Sequence, residues 1–550
     1  MRRESRFAPI VGLVLCTVFL WAPSASASSA TGTIYQSATT GMAARSAPGA
    51  PGLGITAPST SLRPRGARRR PRISGAAAPS VTPSSIAAAP LAGSSGPLLS
   101  NFNGVGSRDS AITNFGQEFE PPDQGLCVGN GFTVEMVNSA YTVYTPAGRT
   151  VTGPFNVNGP FGEGLTEFTS DPRCYYDAAT HTWFATILSI NRESTASAID
   201  VAVNTSGDPT TVWTSYKIDT TDIGGASGPR HKSCPCLGDQ PTLGIDASNL
   251  YVTTNEFALA GEEFNGAQIY ALAKKDLLAL SPAVHFAHFD KLSIGGTLAA
   301  SVQPALTTGA PRAEFFLNAL DPTETFDQRV GVWAMTDRGV VAKGGVPKLS
   351  SYVLGSEAYG RPPAAEQKGS SSLIDAGDDR MQQVQYINGS VWGELGTAVT
   401  IAGDPLQRAG AAWFQVEPRL GGGAVTAAQM QHQGYVSVAG NYVLYPALQS
   451  TPSGGAAMVV TLTGAKHFPS AAYTTLTGAS TSFGPVSVAA AGSGSYDPEA
   501  ERWGDYSFAV LDPSGASVWL ATEYVPPKAS QTPDALRNWG TRVFDVPTSP

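Results

Sequence analysis

The segment Asp239–Asp246 has the sequence DQPTLGID, and the segment Asn249–Phe257 that follows it has the sequence NLYVTTNEF. Both are rich in apolar and β-branched residues, and Asp246 opens a short polar turn between them. Near the other end of the chain, Asp505–Asp512 (DYSFAVLD) and Val518–Tyr524 (VWLATEY) repeat this arrangement. Each pair predicts a β-hairpin whose first strand opens with a polar residue.

The same two-strand unit recurs along the chain. Its predicted starts are Asp123, Ser170, Asp239, Val302, Asp379, Gly434 and Asp505. The predicted turn, seven residues after each start, falls at Asn130, Asp177, Asp246, Gly309, Tyr386, Asn441 and Asp512. Most of these are residue types that favour tight turns, and Asn388-Gly389 lies just beyond Tyr386. Another apolar segment usually follows, as in Ala198–Val203, Ala267–Leu272, Val330–Met335, Ala411–Val416 and Ala456–Leu462.

A unit of three or four antiparallel strands that returns about every 60 residues is typical of a β-propeller blade. Such a unit has two apolar faces and needs a neighbour on each side, so the units should stack into a closed ring. The sequence therefore predicts an all-β propeller over residues 101–550. Seven blades are expected, and six is the alternative count because the Val302 and Gly434 units match the pattern least well. A row of β-sandwiches is the alternative fold.

The first residues resemble an export signal. Arg2, Arg3 and Arg6 precede the apolar run Ile10–Trp21, and Ala25–Ala27 offers small residues at a cleavage position. We predict a signal peptide over residues 1–27 and a secreted protein. The apolar run is short for a membrane anchor, and no later segment is apolar enough to predict a transmembrane anchor.

Residues 28–100 are rich in Ala, Pro, Ser and Arg and contain no acidic residue, so we predict a disordered linker. Its seven arginines, mostly within 63–72, suit either contact with an anionic cell wall or a solvated tether. Residues 101–550 have a formal charge of −17, which argues against nucleic acid as a partner. We expect a monomer.

Four cysteines remain after the signal peptide, an even number that favours two disulfides in an exported protein. Cys127 and Cys174 occupy matching positions of adjacent units, which predicts a bond between them. Cys234 and Cys236 would then pair with each other. A Cys-x-Cys pair without a histidine partner is a poor zinc site, and we predict no metal there.

In a propeller, the loops that enter the first strands and leave the second strands lie on one face, around the central channel. This geometry predicts a channel mouth formed by acids and arginines: Asp123, Asp171, Asp239, Asp378, Asp379, Asp505, Glu256, Glu394, Glu523, Arg173, Arg380 and Arg502. Exposed aromatic residues are expected beside them, namely Trp503, Tyr506 and Tyr524.

The acids allow three interpretations. They could accept backbone N–H groups from neighbouring blades and be purely structural. They could bind a divalent cation such as Ca²⁺ through oxygen ligands, although no cofactor is the preferred prediction. They could also include a carboxylate pair that hydrolyses a glycoside.

The segments Ser170–Asp177, Gly238–Pro241 and Arg502–Ser507 resemble a broad group of secreted bacterial propellers that is loosely allied to sialidases. Ser206–Trp213 is similar to the sialidase Asp box, with Thr210 in place of its glycine and Val212 in place of its threonine. In sialidases this motif is a structural turn between outer strands. The resemblance implies the fold over residues 101–550.

We therefore predict a secreted propeller that binds a glycan, a peptide or a partner protein at its channel mouth without catalysis. The alternative is a glycoside hydrolase of sialidase-like architecture. Fold by itself does not choose between them.

Overall fold

The computed structural model describes residues 26–40, 83–93, 96, 98–116, 119–165, 167–224, 230–261, 263–320, 326–478, 480–496, 502–527 and 538–548. Most of the predicted signal peptide, with Cys16, and the arginine-rich run 63–72 lie outside these residues. No helix in the described part of the chain is long and apolar enough to cross a membrane.

Three strands and one short helix come before the repeated units. They are β1 (Ser26–Thr40), β2 (Ser85–Ile86), β3 (Ser100–Gly106) and α1 (Ser107–Thr113).

The following strands pair into four-stranded antiparallel units, which we number along the chain. Unit 1 contains β4 (Gly125–Gly129), β5 (Phe132–Met136), β6 (Ala140–Tyr144) and β7 (Thr150–Asn156). Unit 2 contains β8 (Phe168–Asp177), β9 (Thr182–Ile190), β10 (Ser197–Asn204) and β11 (Trp213–Asp219). Unit 3 contains β12 (Cys236–Ile245), β13 (Asn249–Ala258), β14 (Phe264–Ala273) and β15 (Ala283–Ile294), with α2 (Lys274–Leu278) before β15 and the short β16 (Thr297–Leu298) after it.

The second half of the chain continues the series. Unit 4 contains β17 (Gln303–Thr307), β18 (Glu314–Ala319), β19 (Asp327–Thr336) and β20 (Lys348–Tyr359). Unit 5 contains β21 (Met381–Ile387), β22 (Ser390–Ile401), β23 (Gln407–Gly421) and β24 (Ala424–Val436). Unit 6 contains β25 (Tyr442–Ser450), β26 (Ala456–Gly464), β27 (His467–Leu476) and β28 (Ser487–Ala490). Unit 7 contains β29 (Phe508–Leu511), β30 (Ser517–Tyr524), β31 (Gly540–Pro547) and, from the other end of the chain, β3.

The first strands of the units form a ring around a central axis. In the order β4, β8, β12, β17, β21, β25 and β29, each contacts the next, and β29 contacts β4. Neighbouring first strands run parallel where they pair, as at Ile245 with Leu306 and Ala305 with Val384. The predicted all-β propeller is confirmed.

Adjacent residues on one strand show why each unit needs two neighbours. Trp183 and Phe184 follow each other on β9 and point to opposite faces, yet both are fully buried. Trp183 packs in the core shared with unit 1, and Phe184 packs in the core shared with unit 3. This is why the strands of the sequence are apolar on both faces rather than alternating.

The ring closes through β3, which pairs with β31 between Ser100 and Gly106. The closing strand also contacts unit 1, because the Val105 N–H donates a hydrogen bond of 2.7 Å to Glu135 Oε2. The ring of Phe102 on the same strand lies 5.2 Å from Tyr144 of unit 1 and 6.5 Å from Trp519 of unit 7. The closing strand therefore joins the first unit to the last.

We expect Phe102→Ala to lower the free energy of unfolding by about 1–3 kcal/mol, since it removes the aromatic contact across the closure. Urea unfolding followed by tryptophan fluorescence measures this change. The half-buried Phe132, beside the β4–β5 turn, is the matched control, and its replacement by alanine should cost less. An equal loss in both variants would contradict a special role for the closure.

The strand boundaries correct one predicted unit. Gly434 lies near the end of β24 in unit 5, and the first strand of unit 6 begins at Tyr442. Asn441 therefore precedes that strand and is not its turn, and Ala456–Leu462 belongs to the second strand of its unit. The β24 strand is 13 residues long and runs past the expected break.

Part of the predicted linker is ordered against the propeller. The strand β1 pairs with β15 over Ser26–Tyr35 and with β11 over Gln36–Thr40. Residues 83–93 include β2, which pairs with β22, and a bridge from Leu91 to Val486. The prediction of disorder is wrong for these residues, because backbone pairing with exposed strand edges needs few apolar side chains. Residues 41–82 lie outside the described ranges.

The predicted disulfides are present. Cys127 on β4 bonds to Cys174 on β8, with 5.3 Å between their Cα atoms, and Cys234 bonds to Cys236. The segment resembling an Asp box forms the turn between β10 and β11, where Asp208 Oδ1 accepts a hydrogen bond of 2.9 Å from the Thr210 N–H. The Trp213 indole closes the turn through a bond of 3.0 Å to the Pro209 carbonyl.

Candidate functional site

A repeated backbone feature shapes one face of the ring. Where the first strands begin, left-handed residues recur: Asp123, Asp171, Gln240, Ser301 and Tyr445, with φ between 45° and 59°. In units 2 and 3 these residues sit in β-bulges, at the register shifts Ser170/Arg173 and Asp239/Thr242. A β-bulge changes the direction in which a side chain points relative to a regular strand. Several of these residues line the channel mouth.

A cavity of about 110 Å³ lies at this mouth, between units 1, 2, 3 and 7. On a scale where one water needs about 10–15 Å³, it has room for several waters or a sugar ring. Of the predicted residues, the structure brings together Asp123, Asp171, Asp239, Asp505, Arg380 and Arg502. One carboxylate oxygen from each of Asp123, Asp171 and Asp505 lies within 4.8 Å of the other two.

Asn138, which the sequence did not single out, positions the acids. Its side-chain N–H donates to Asp123 Oδ2 at 2.8 Å, and its carbonyl oxygen accepts the Asp171 N–H at 2.7 Å. Asp123 Oδ1 accepts the Asp505 N–H of unit 7 at 2.7 Å. Asn138 lies in the β5–β6 turn and belongs to no recognisable sequence motif. It reaches the acids only because units 1 and 2 pack together in the ring.

Burial changes the protonation of these acids. It raises the pKa of Asp123 to about 7, and the neighbouring Asp505 adds to the rise. The pKa of Asp171 is well above its usual value because of burial first and the charges of Asp123, Asp239 and Asp505 second. Burial also raises the pKa of Asp239, although Arg380 opposes it. Near pH 7 Asp123 is therefore partly protonated, and burial favours the protonated form of Asp171, so these two carboxyl groups can donate hydrogen bonds as well as accept them.

Both arginines of the cavity are engaged with acids. Arg502 pairs with Asp505, and its backbone N–H donates to Glu120 Oε1 at 3.0 Å. Arg380 binds both carboxylate oxygens of Asp378 at 2.8 Å. The guanidinium groups are therefore compensated by carboxylates and do not form an open cationic pocket for an anion.

The other side of the cavity is apolar. Its wall comes from units 2 and 3 and from the loop before unit 1: Phe119, Phe168, Leu188, Ile190, Leu237 and Phe257. The rings of Phe119 and Phe168 lie 6.0 Å apart. The core between units 2 and 3 thus extends to the cavity, which it lines together with the acids.

The predicted aromatic surface is wrong. Trp503, Tyr506 and Tyr524 are all buried to within 2% of full burial. The Tyr506 ring lies 3.3 Å beneath the guanidinium of Arg173, and the Tyr524 hydroxyl donates to Asn103 Oδ1 at 2.5 Å. Arg173, also predicted at the mouth, is buried by this stacking and does not line the cavity. These side chains fill the space between neighbouring units. The sequence of a strand does not show whether such a side chain packs against the next unit or faces the solvent.

Two predicted glutamates and one aspartate are buried and do not line the cavity. Glu394 accepts the Gln383 N–H at 3.0 Å and also a backbone bond from Leu448 of unit 6. Glu523 accepts a backbone bond from Asp123 of unit 1. Glu394, Glu523 and Asp123 thus each accept a backbone N–H group, as the structural interpretation expects. Asp379 is fully buried and does not line the cavity.

Glu256 belongs to a separate buried cluster beside the Cys234–Cys236 bond. His231 Nδ1 lies 2.8 Å from Glu256 Oε2, and His231 Nε2 lies 2.7 Å from Asp290 Oδ2. Asn265 donates to Glu256 Oε1 at 2.6 Å. Hydrogen bonds to Asp290 and Glu256 raise the pKa of His231 to about 10, so the imidazole is a buried cation held by two carboxylates. This network fixes the loop before β12, and Asp290 Oδ1 is its one buried oxygen that has no hydrogen-bond partner among the described residues.

No protein-family model matches the chain, and no curated protein matches its sequence. Solved structures with a similar fold include an α-L-arabinofuranosidase of family GH93 from Fusarium graminearum, at 9% identity and a TM-score of 0.33, covering 80% of this chain and 97% of that one. The hemagglutinin-neuraminidase of parainfluenza virus 5 has 11% identity and a TM-score of 0.33, covering 69% and 90%. A family 117 glycoside hydrolase of Zobellia galactanivorans has 12% identity and a TM-score of 0.28, covering 71% and 88%. These similarities concern the fold, which the strand pairings establish independently as a β-propeller.

Proposed function

We propose that this protein is a secreted propeller that binds a neutral glycan in the cavity at its channel mouth. One observation carries the proposal: a single cavity is lined both by buried acids, including Asp123 and Asp171, whose pKa values burial raises, and by apolar and aromatic side chains. A sugar has hydroxyl groups that donate and accept hydrogen bonds, and it has C–H faces that pack on apolar rings. The two sides of the cavity match these two properties.

Charge supports a neutral ligand. Asp123, Asp171, Asp239 and Asp505 surround the polar side, whereas Arg380 and Arg502 are paired with acids. An anionic sugar would meet carboxyl groups without an uncompensated cation, which desolvation makes unfavourable. Secretion is supported by the two disulfides together with the predicted signal sequence.

A second candidate, hydrolysis of a glycoside, is favoured by the coupling of Asp123 with Asp505. The pKa of Asp123 is raised to about 7, partly by the charge of Asp505 beside it. A protonated and an ionised carboxyl group in one cavity are the pair that general acid and base or nucleophilic catalysis requires. Turnover that declines as the pH rises through about 7 would identify Asp123 as the acid.

The test is a screen of the full-length secreted protein by calorimetry with neutral mono- and oligosaccharides, run beside chromogenic glycosides. We expect saturable binding that weakens roughly 100-fold in Asp171→Ala, because a site built around polar groups loses much affinity when one is removed. The buried Glu394, replaced by Gln, is the control and should leave binding unchanged.

Binding without turnover supports the binding function, and turnover lost in Asp123→Asn supports hydrolysis. Calcium, which the same carboxylates could hold, would have to displace their protons, so titrations with EDTA and with added Ca²⁺ test that alternative. Equal binding in wild type and Asp171→Ala, or no binding of any neutral glycan, would refute a glycan site at the mouth.

A further inference from the structure

A second cavity lies on the opposite face of the ring, between units 5 and 6. Its volume is about 170 Å³, larger than that of the mouth on the same scale. The buried side chains of Ile387, Trp392 and Leu476 form its floor, and the β21–β22 and β25–β26 turns border it. The cavity is separate from the acids of the channel mouth because the hairpin turns and the strand openings lie at opposite ends of the first strands.

The floor contains an indole donor without an acceptor. The chain has nine tryptophans, of which Trp21 lies outside the described residues. Six of the remaining indoles donate a hydrogen bond, and Trp392 and Trp413 donate none to the residues that the structure describes; the six are Trp183, Trp213, Trp333, Trp503, Trp519 and Trp539. Trp392 is 4% exposed, lines the cavity, and donates no hydrogen bond within the described part of the chain. Both unpaired indoles are nearly buried, but of the two only Trp392 lines the cavity, so a ligand bound there can supply the acceptor that its N–H lacks.

The indole is held rigidly. Trp392 stacks on Trp413 with 6.0 Å between ring centroids and 16° between planes, and Trp413 meets the edge of Phe483 at 5.3 Å. A stacked ring cannot turn to find another acceptor without losing these contacts. The position of the Trp392 ring beside the cavity is therefore fixed.

The lining excludes a charged ligand. It contains no Lys, Arg, Asp or Glu among the described residues, and its polar groups are neutral side chains together with the exposed His432 at the rim. Gln415 Nε2 donates to Ser390 Oγ at 3.2 Å, which leaves the Gln415 carbonyl oxygen and the Ser390 proton available to a ligand. An ionic group would lose its hydration here without gaining a counter-ion.

We propose that this cavity is a second binding site, for one unit of a neutral saccharide, and that a hydroxyl oxygen of the sugar accepts the hydrogen bond of Trp392 Nε1. The apolar floor packs against the sugar ring, and the amide and hydroxyl groups bind its other hydroxyls. The site stands independently of the mouth, and it would give the protein two contacts with a glycan on opposite faces.

The test uses full-length protein carrying Asp171→Ala, in which the mouth is disabled. Binding of glucose, galactose, mannose, xylose, arabinose and their common disaccharides is measured by saturation-transfer NMR and calorimetry. We expect at least one of these sugars to bind, and we expect Trp392→Phe to weaken that binding roughly tenfold, because phenylalanine keeps the stacked ring and removes the donor.

Trp413→Phe is the matched control. It alters the same stack but not the lining of the cavity, so it should leave the affinity within about twofold. No binding by any of these sugars would overturn the proposal. An unchanged affinity in Trp392→Phe, or an equal loss in both variants, would also overturn it.

Discussion

Replacing Asp171 by asparagine is expected to make the protein more stable at pH 8 and to weaken glycan binding at the mouth. The carboxyl group of Asp171 is buried, and Asp123, Asp239 and Asp505 surround it. Asparagine has the same shape, tolerates the left-handed backbone at this position, and carries no charge. The variant therefore removes the electrostatic penalty and leaves the packing intact.

The pH dependence follows from the raised pKa. A carboxyl group with a higher pKa in the folded state than in the unfolded state loses its proton first from the unfolded chain as the pH rises. As the pH rises from the unfolded-state pKa to the folded-state pKa, the free energy of unfolding falls. Above the folded-state pKa the loss stays constant. For Asp171 the folded pKa lies well above the usual value, so the destabilisation is absent near pH 3 and grows toward alkaline pH.

We expect Asp171→Asn to raise the free energy of unfolding by roughly 1–3 kcal/mol at pH 8 and to change it little at pH 3, since one pKa unit corresponds to 1.36 kcal/mol. Urea titrations at the two pH values measure the difference. Binding of a sugar found in the screen, measured at pH 7, should weaken in the same variant, since it no longer offers a carboxyl proton.

Asp404 provides a control of opposite sign. Hydrogen bonds from Arg408 hold the pKa of Asp404 at about 2, so its charge stabilises the folded state at neutral pH and loses that effect as the pH falls toward 2. Asp404→Asn should therefore destabilise the protein at pH 8. If Asp171→Asn also destabilised the protein at pH 8, the charge of Asp171 would stabilise the fold. That result would contradict the expectation that this buried carboxyl group costs stability and serves ligand binding.

Removing the disulfide between Cys127 and Cys174 is expected to lower the free energy of unfolding more than removing the disulfide between Cys234 and Cys236. The bond closes a loop with a sequence separation of 47 residues and ties unit 1 to unit 2. Loop-closure entropy gives about 4 kcal/mol for a loop of this length, compared with about 2 kcal/mol or less for the loop closed by Cys234 and Cys236. Alanine at both positions avoids placing a buried hydroxyl group in the core.

Urea unfolding of the two double alanine variants under non-reducing conditions makes the comparison. We expect Cys127→Ala with Cys174→Ala to lower the unfolding free energy by about 4 kcal/mol and the other pair to lower it by less than half as much. A larger loss in the Cys234 and Cys236 variant would show that the buried His231 network beside that bond contributes more than loop closure.

The repeated hairpins predicted the propeller correctly because the strands and the turn of each unit can be recognised from residues within that unit. Asp246 and Asp512 lie at or directly after the ends of their first strands, and Asn388-Gly389 forms the turn that Tyr386 does not. The matching positions of Cys127 and Cys174 predicted their bond for the same reason. The predicted start at Gly434 is wrong because β24 is longer than most strands of the chain. The repeat gives only an average distance between units, so it does not locate the start of a unit that follows a long strand.

The site was predicted in part. Asp239, Asp505, Arg380 and Arg502 line the cavity, whereas Glu256, Glu394, Glu523, Asp379, Arg173, Tyr506 and Tyr524 lie beneath it or between units. Position within the unit assigns a residue to a face of the ring, but it does not separate a side chain that reaches the cavity from one that bonds to the next unit. Asn138 was missed because its role depends on the contact between units 1 and 2.

The sequence by itself determined the repeated strands, the turns and the pairing of cysteines, because these depend on residues near one another in a unit or at equivalent places in two units. Tertiary structure alone decided which acids share a cavity, which unpaired indole lines the second cavity, and how β1 and β3 join strands far along the chain. The physical reason is that ring closure and the bulges bring together residues separated by hundreds of positions, and the burial they create sets the protonation of the mouth.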